Sequence, residues 1–349
     1  MINDSVLDTI GRTPVVRLNR LRVDNGSEIL LKLESRNPAG SVKDRTALSM
    51  VLEAERDGRL KPGGTIIESS SGNTGKGLAL IGAARGYRVI LVTDPKAPAS
   101  MVDYVSAFGA ELEIVREPDE TGYQRPRLNR VHELLAATPG AFWPNQYDNP
   151  ANPKIHAEQT AYEILDDVGR FDVLVAAVGT GGHISGLAET LKRKLPDVVT
   201  VGVDAKGSRA FGFPYETWLM RGLGIAWKPD NLTTELVDRV HLVADHEGIA
   251  TSRLLARREG LLVGESAGAA VFGALHHAHQ NPGARIVAVA PDDGGNYLGE
   301  SYDDEWLRAH GLGDQVTALS SAELLVTAAK DPAWPAMTLD QVSRLVTSA

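Results

Sequence analysis

Short apolar runs alternate along the chain with longer stretches whose apolar residues keep helical spacing. The runs Ile29 to Leu33, Thr65 to Glu68, Arg88 to Thr93, Leu112 to Val115, Val173 to Val178, Val199 to Asp204 and Arg285 to Ala290 read as strands. Between them, Thr46 to Arg56, Gly75 to Arg85, His156 to Asp166, Ser185 to Lys194 and Ala267 to His279 read as helices. Such alternation predicts parallel sheets covered by helices, an α/β architecture. No internal repeat or low-complexity tract interrupts it. The Pro- and Asn-rich segment Phe142 to Pro153 is the expected crossing between two lobes, and a crevice between lobes at strand ends is where ligands usually bind.

Composition narrows the classes. With 349 residues, 43% of them hydrophobic and 23% charged, the chain is long enough for two buried cores. Its 36 basic and 45 acidic side chains give a net charge of −9, which argues against nucleic-acid binding and leaves no polybasic membrane patch. The absence of cysteine excludes disulfides, thiolate metal sites and cysteine nucleophiles. Neither a signal-like start nor an apolar run of spanning length is present, so the expected compartment is the cytoplasm.

Two segments carry the chemistry. Residues 37–45 read Asn-Pro-Ala-Gly-Ser-Val-Lys-Asp-Arg, and residues 69–75 read Ser-Ser-Ser-Gly-Asn-Thr-Gly. Pro38 and Gly40 punctuate the end of a strand-like run, and Lys43 falls where a helix would begin. A helix N-terminus disfavours the charged amine, which suits a Schiff base. Taken alone, Lys43 reads as a solvated surface lysine.

Together the segments resemble the pyridoxal-phosphate enzymes of the cysteine synthase and cystathionine β-synthase family, or fold type II, from about Leu7 to about Leu307. The resemblance implies a tryptophan synthase β-like fold: two parallel-sheet, three-layer α/β domains with pyridoxal 5'-phosphate in the cleft between them. It implies a larger domain of residues 1–42 and 146–312, a smaller mobile domain of residues 43–145, and an extension over residues 313–349. It further implies that Lys43 carries the cofactor and Asn73 bonds its phenolic oxygen. Ser70, Ser71 and Thr74, completed by Gln146, would hold the substrate carboxylate.

The segment Gly179-Thr-Gly-Gly-His-Ile-Ser-Gly follows a strand and opens a helix, a setting that binds phosphate. Asp204, about twenty residues on, invites a dinucleotide reading, but Ile184 stands where that fingerprint needs Gly or Ala. The resemblance makes Gly179, Thr180, Gly181 and Gly182 the cofactor-phosphate cradle. His183 replaces the usual Thr or Ser, and is read either as a phosphate donor or as a group facing an acceptor substrate.

Gly264-Glu-Ser-Ala-Gly satisfies the G-x-S-x-G pattern of a hydrolase elbow, and Asp292 or Asp293 with His310 could complete a triad. The acid follows Ser266 closely and no His-Gly-Gly oxyanion segment precedes it, which weakens the esterase reading. The resemblance gives Ser266 to the pyridine nitrogen. A neutral hydroxyl there makes the ring a weaker electron sink and favours expulsion of a β-substituent over transamination.

Arg221 lies in the family's closing segment, at a position where some O-phosphoserine users have arginine. The stretch Pro118 to Leu135, together with Val203 to Ser208 and Asp303 to Leu307, resembles the siderophore-pathway branch, which makes N-(2-amino-2-carboxyethyl)-glutamate. In that branch an arginine matching Arg127 helps bind phosphate, and a planar cation with paired donors suits that group. Each arginine alone also reads as a solvated charge. Lys76 is either a solvated helix lysine or a selector of an anionic acceptor. His276, His277 and His279 crowd a helix end and read as favourable dipole partners rather than a metal site. Residues 314–349 read as a packing or dimer-supporting extension.

The resemblance implies a homodimeric β-replacement synthase that forms an α-aminoacrylate from O-phosphoserine or O-acetylserine and adds a nucleophile, an amine such as glutamate among them. Cysteine, S-sulfocysteine and cystathionine synthesis are the alternatives within the family, and an esterase on Ser266 the alternative outside it. Small amino acids are the expected partners, without metal, nucleic acid or membrane.

Overall fold

The structure is a computed structural model that describes residues 2–120 and 122–348. Met1, Thr121 within the Pro118 to Leu135 stretch, and Ala349 at the end of the extension lie outside the described residues. The strands, in chain order, are β1 (Val15–Arg17), β2 (Glu28–Leu33), β3 (Thr65–Ser69), β4 (Arg88–Thr93), β5 (Glu111–Ile114), β6 (Val173–Ala177), β7 (Val199–Ala205), β8 (Arg239–Val243), β9 (Arg285–Ala290) and β10 (Met337–Thr338). The first helices are α1 (Lys43–Arg56), α2 (Asn73–Arg85), α3 (Ala99–Ala107), α4 (Gln124–Ala137), α5 (Ala151–Ile155), α6 (Ala161–Val168) and α7 (Gly182–Lys194). Then follow α8 (Asp245–Leu254), α9 (Glu265–Gln280), α10 (Asp304–Ala309), α11 (Gly313–Ala318), α12 (Ala322–Lys330) and α13 (Leu339–Ser348).

Two compact units form, one of residues 1–11 with 37–155 and one of residues 12–36 with 156–349. These limits differ from those drawn on the sequence, and burial gives the reason. Leu7 packs into the first unit's core with Leu78, Ile81 and Val51. In the extension, Leu325 and Ala329 are wholly buried in the second unit's core. The expected crossing at residues 142–153 starts as sheet-edge structure, since Phe142 exchanges backbone hydrogen bonds with Thr65 and Ile67 at 2.8 and 2.9 Å.

In the first unit β3, β4 and β5 form a parallel sheet. Alternation along β3 and β4 sends Ile66, Val89 and Leu91 to α1 and α2, and Ile67, Ile90 and Val92 toward Val131 of α4. Both faces are thereby covered, as parallel sheets require.

The second unit holds a sheet in the order β1-β2-β9-β6-β7-β8-β10. Its five inner strands are parallel, as expected, and β1 and β10 add antiparallel strands at the two edges. These strands are two or three residues long, too short to show a period in the sequence. Ile29, Leu31, Val175, Val203 and Ile286 share one core with α8 and α9, and Leu30, Leu174 and Val287 share another with α6 and α7. The helix expected over His156 to Asp166 is instead a π-helical turn, His156–Thr160, leading into α6.

Candidate functional site

In the first unit, Lys43 is the first residue of α1 and half-buried. The turn before it is fixed by Asp44, whose carboxylate accepts from Ala39 N at 2.6 Å and Ser41 Oγ at 3.3 Å. Ser41 Oγ in turn accepts from Lys43 N at 3.1 Å. The backbone of Lys43 lies close against α2: a Cβ on Gly77 would sit 3.2 Å from the Lys43 carbonyl oxygen.

The 69–75 loop follows β3 and opens α2. Ser70 is drawn inward, its Oγ accepting from Gly75 N at 3.0 Å and Gly72 N at 3.3 Å. Thr74 Oγ1 donates to Gln146 Oε1 at 2.5 Å, and Gln146 Nε2 donates to Ser69 O at 3.4 Å. The structure therefore brings Ser70, Thr74 and Gln146 together around the N-terminus of a thirteen-residue helix, where partial positive charge favours a carboxylate. Asn73 is the first residue of that helix.

Ser71 turns to the side. Its hydroxyl donates to Asp94 Oδ2 at 3.3 Å and accepts from Arg127 Nη1, which also pairs with Asp94 at 2.9 Å. Arg127 is largely buried, and among the described residues its Nε has no hydrogen-bond partner. Asp94, at the end of β4, was not singled out in the sequence; an acid just past a parallel strand was the available signal. Lys76 is not the solvated lysine of one reading: it is 8% exposed, with Nζ 4.4 Å from the centre of the Tyr104 ring.

In the second unit, β6 leads through Gly179 and Thr180 into α7, which Gly181 caps in a left-handed conformation with φ of 80°. A Cβ on Gly181 would lie 2.6 to 2.7 Å from Leu232 Cβ, Cα and N, so only glycine fits. His183 is buried on the same helix, edge-on to His156 with ring centres 4.9 Å apart. Gly179 lies against Gly222, and a Cβ on Gly222 would sit 3.0 Å from Ser266 Oγ. The segment carrying Arg221 thus passes between the glycine loop and Ser266. Arg221 N donates to Glu265 Oε2 at 2.5 Å, and its guanidinium pairs with Glu300. Burial pushes Glu265 up to about 7, against the lowering effect of the Arg221 N–H bond.

Ser266 lies in the first turn of α9, wholly buried, and among the described residues its Oγ has no hydrogen-bond partner. A buried hydroxyl without a partner costs stability unless something bonds it, and a pyridine nitrogen is a suitable acceptor. The same observation removes the esterase triad, which needs a histidine on that hydroxyl. His310 instead is exposed and stacked on Trp306 with ring centres 4.0 Å apart, and Asp292 accepts from Tyr297 Oη at 2.5 Å. The orphaned Ser266 hydroxyl and the glycine-built cap of α7 are compatible with a bound pyridoxal phosphate.

The terminal histidines of α9 also have a use the sequence did not reveal. His276 Nδ1 and His279 Nε2 bond the carbonyls of Ala329 and Val326 at 2.9 and 2.7 Å, holding α12 of the extension to α9.

Comparison with known proteins identifies the family. The family model described as pyridoxal-phosphate dependent enzyme matches residues 6–292. The chain is 38% identical over 323 residues to cystathionine β-synthase of Dictyostelium discoideum, covering 90% of this chain and 64% of that one. It therefore spans less than two thirds of that relative's length. It is 41% identical over 298 residues to a probable cysteine synthase of Bacillus subtilis (strain 168), covering 83% of this chain and 94% of the relative. A crystal structure of O-ureido-L-serine synthase superposes with a TM-score of 0.81 at 36% identity, covering 88% of this chain and all of that one. With its glycine-capped α7, its orphaned Ser266 and a match of this extent, the chain belongs to the pyridoxal-phosphate-dependent enzymes of the cysteine synthase and cystathionine β-synthase family, fold type II.

Proposed function

We propose that the protein catalyses β-replacement on a serine esterified at its β-oxygen, the Cβ–O bond breaking to release phosphate in preference to acetate, with an amine such as glutamate as the incoming nucleophile. Ser266 carries the reaction class. Its hydroxyl is neutral, buried and available to the cofactor's ring nitrogen, whereas a carboxylate there would keep that nitrogen protonated. Bound pyridoxal phosphate supplies the electron sink that makes the α-proton of a bound amino acid removable. Lys43 would hold the cofactor through its amine, and the same Nζ would take the α-proton of the bound amino acid. The α2 N-terminus, with Thr74 and Gln146, orients the substrate carboxylate. Arg127 supports the phosphate donor: it is tied to Ser71 of the substrate loop and keeps a buried Nε–H to give. The resemblance of residues 118–135 to the siderophore-pathway branch supports the amine acceptor. Under this reading the protein works as a cytoplasmic homodimer on free amino acids.

Ser266→Asp tests the class. The variant should retain cofactor with a shifted absorbance spectrum and lose most β-replacement, because the carboxylate holds the ring nitrogen protonated. Unchanged spectrum and turnover would exclude Ser266 from the ring nitrogen. Lys43→Ala should abolish turnover and the fixation of cofactor by borohydride. Offering glutamate, sulfide and thiosulfate to the enzyme with O-phosphoserine, and weighing the product by mass spectrometry, identifies the acceptor.

A further inference from the structure

Glu68 is the penultimate residue of β3, immediately before the serine run, yet no role in the proposed chemistry falls to it. It is 1% exposed. A carboxylate so far from water is expensive unless hydrogen bonds surround it. Here donors from two distant parts of the first unit converge: Ser69 N at 2.8 Å, Trp143 Nε1 at 3.1 Å and Gln146 N at 3.3 Å. Asn145, just before Gln146, has φ of 49°, a left-handed conformation that aims successive N–H groups at one anion. The same turn presents the Gln146 side chain to Thr74 and to Ser69 O.

We infer that Glu68 is a positioning residue: its carboxylate clamps the Asn145–Gln146 turn to the end of β3 and so holds the Thr74–Gln146 pair in register for the substrate carboxylate. The inference rests on the reading that Gln146 serves that carboxylate. Burial pushes Glu68 up to about 7, against the lowering effect of bonds from Trp143, Ser69 and Gln146. The ionised form alone accepts from all the converging donors, so the clamp loosens as pH falls through about 7. Among the described residues, the other titratable and charged groups facing this corner are Tyr147, which feels the charges of both Glu68 and Arg127, and His132, edge-on to Trp143 with ring centres 5.0 Å apart.

The test is donor binding by the holoenzyme, followed through the cofactor absorbance, with KM and kcat measured beside it. In Glu68→Gln, which sets an amide N–H₂ against N–H donors, donor affinity should fall about tenfold while kcat stays within about threefold. In the unmodified protein, affinity should decline as pH drops through about 7. That decline should vanish in Glu68→Gln and persist in His132→Gln. If Glu68→Gln does not fold, Trp143→Phe removes one donor and should weaken binding about two- to threefold at constant kcat. Unchanged donor affinity in a folded Glu68→Gln or Trp143→Phe, or a pH dependence that follows His132, would overturn the inference. A holoenzyme that binds no amino acid would overturn both this inference and the functional reading. One that binds donor without β-replacement would overturn the functional reading alone.

Discussion

Replacing Arg127 by alanine removes the cation of a pair whose side chains are only 12% and 7% exposed. Asp94 is then left buried with its remaining bonds from Lys96 N at 2.9 Å and Ser71 Oγ at 3.3 Å. Breaking such a pair from one side costs about 3 to 5 kcal/mol, and the surviving bonds place this case near the lower end. That loss belongs to the fold and is read by urea denaturation. A second loss belongs to the reaction. If the free Nε–H meets the donor phosphate, kcat/KM for O-phosphoserine falls by a further 1.5 to 3 kcal/mol, roughly ten- to a hundredfold, while O-acetylserine is spared. Adding Asp94→Ala should recover part of the stability and none of the discrimination, since the cycle separates the ion pair from the leaving-group contact. Arg127→Lys keeps the charge but not the fork, so it should retain stability better than selectivity. Equal losses on both donors would show that Arg127 serves only to hold Ser71 and Asp94. Faster turnover of O-acetylserine by the unmodified protein would refute the donor assignment outright.

Two further outcomes follow from the packing. Gly181→Ala forces a side chain into a left-handed residue pressed against Leu232, and should cost about 2 to 4 kcal/mol in denaturant unfolding while weakening cofactor retention in equilibrium dialysis. Leu325→Ala empties a fully buried site between α12 and α9. It should cost about 2 to 5 kcal/mol, visible as a lowered thermal midpoint; a change under about 1 kcal/mol would mean that the extension is a dispensable cover.

Much of this molecule is local and therefore legible in the sequence. The strands Arg88–Thr93 and Arg285–Ala290 have the limits read from their apolar runs, because a buried parallel strand must be apolar on both faces. The glycine loop before α7 and the serine in the first turn of α9 are visible because their chemistry is written in consecutive residues. Tertiary structure decided what depends on partners far along the chain. Nothing near Arg127 in sequence announces Asp94, 33 residues away, or Ser71, 56 residues away, and the arginine is bound to both. Nothing local makes Glu68 the acceptor for donors 75 and 78 residues on. Two of the three histidines ending α9, expected to answer the helix dipole, bond carbonyls 47 and 53 residues away. Periodicity reports which face of an element is buried, since burial follows from the element's own pattern. It cannot report which polar group waits on the other side, because a buried charge chooses its partner by folded proximity, and the cost of leaving it unpaired is levied only after the chain has closed around it.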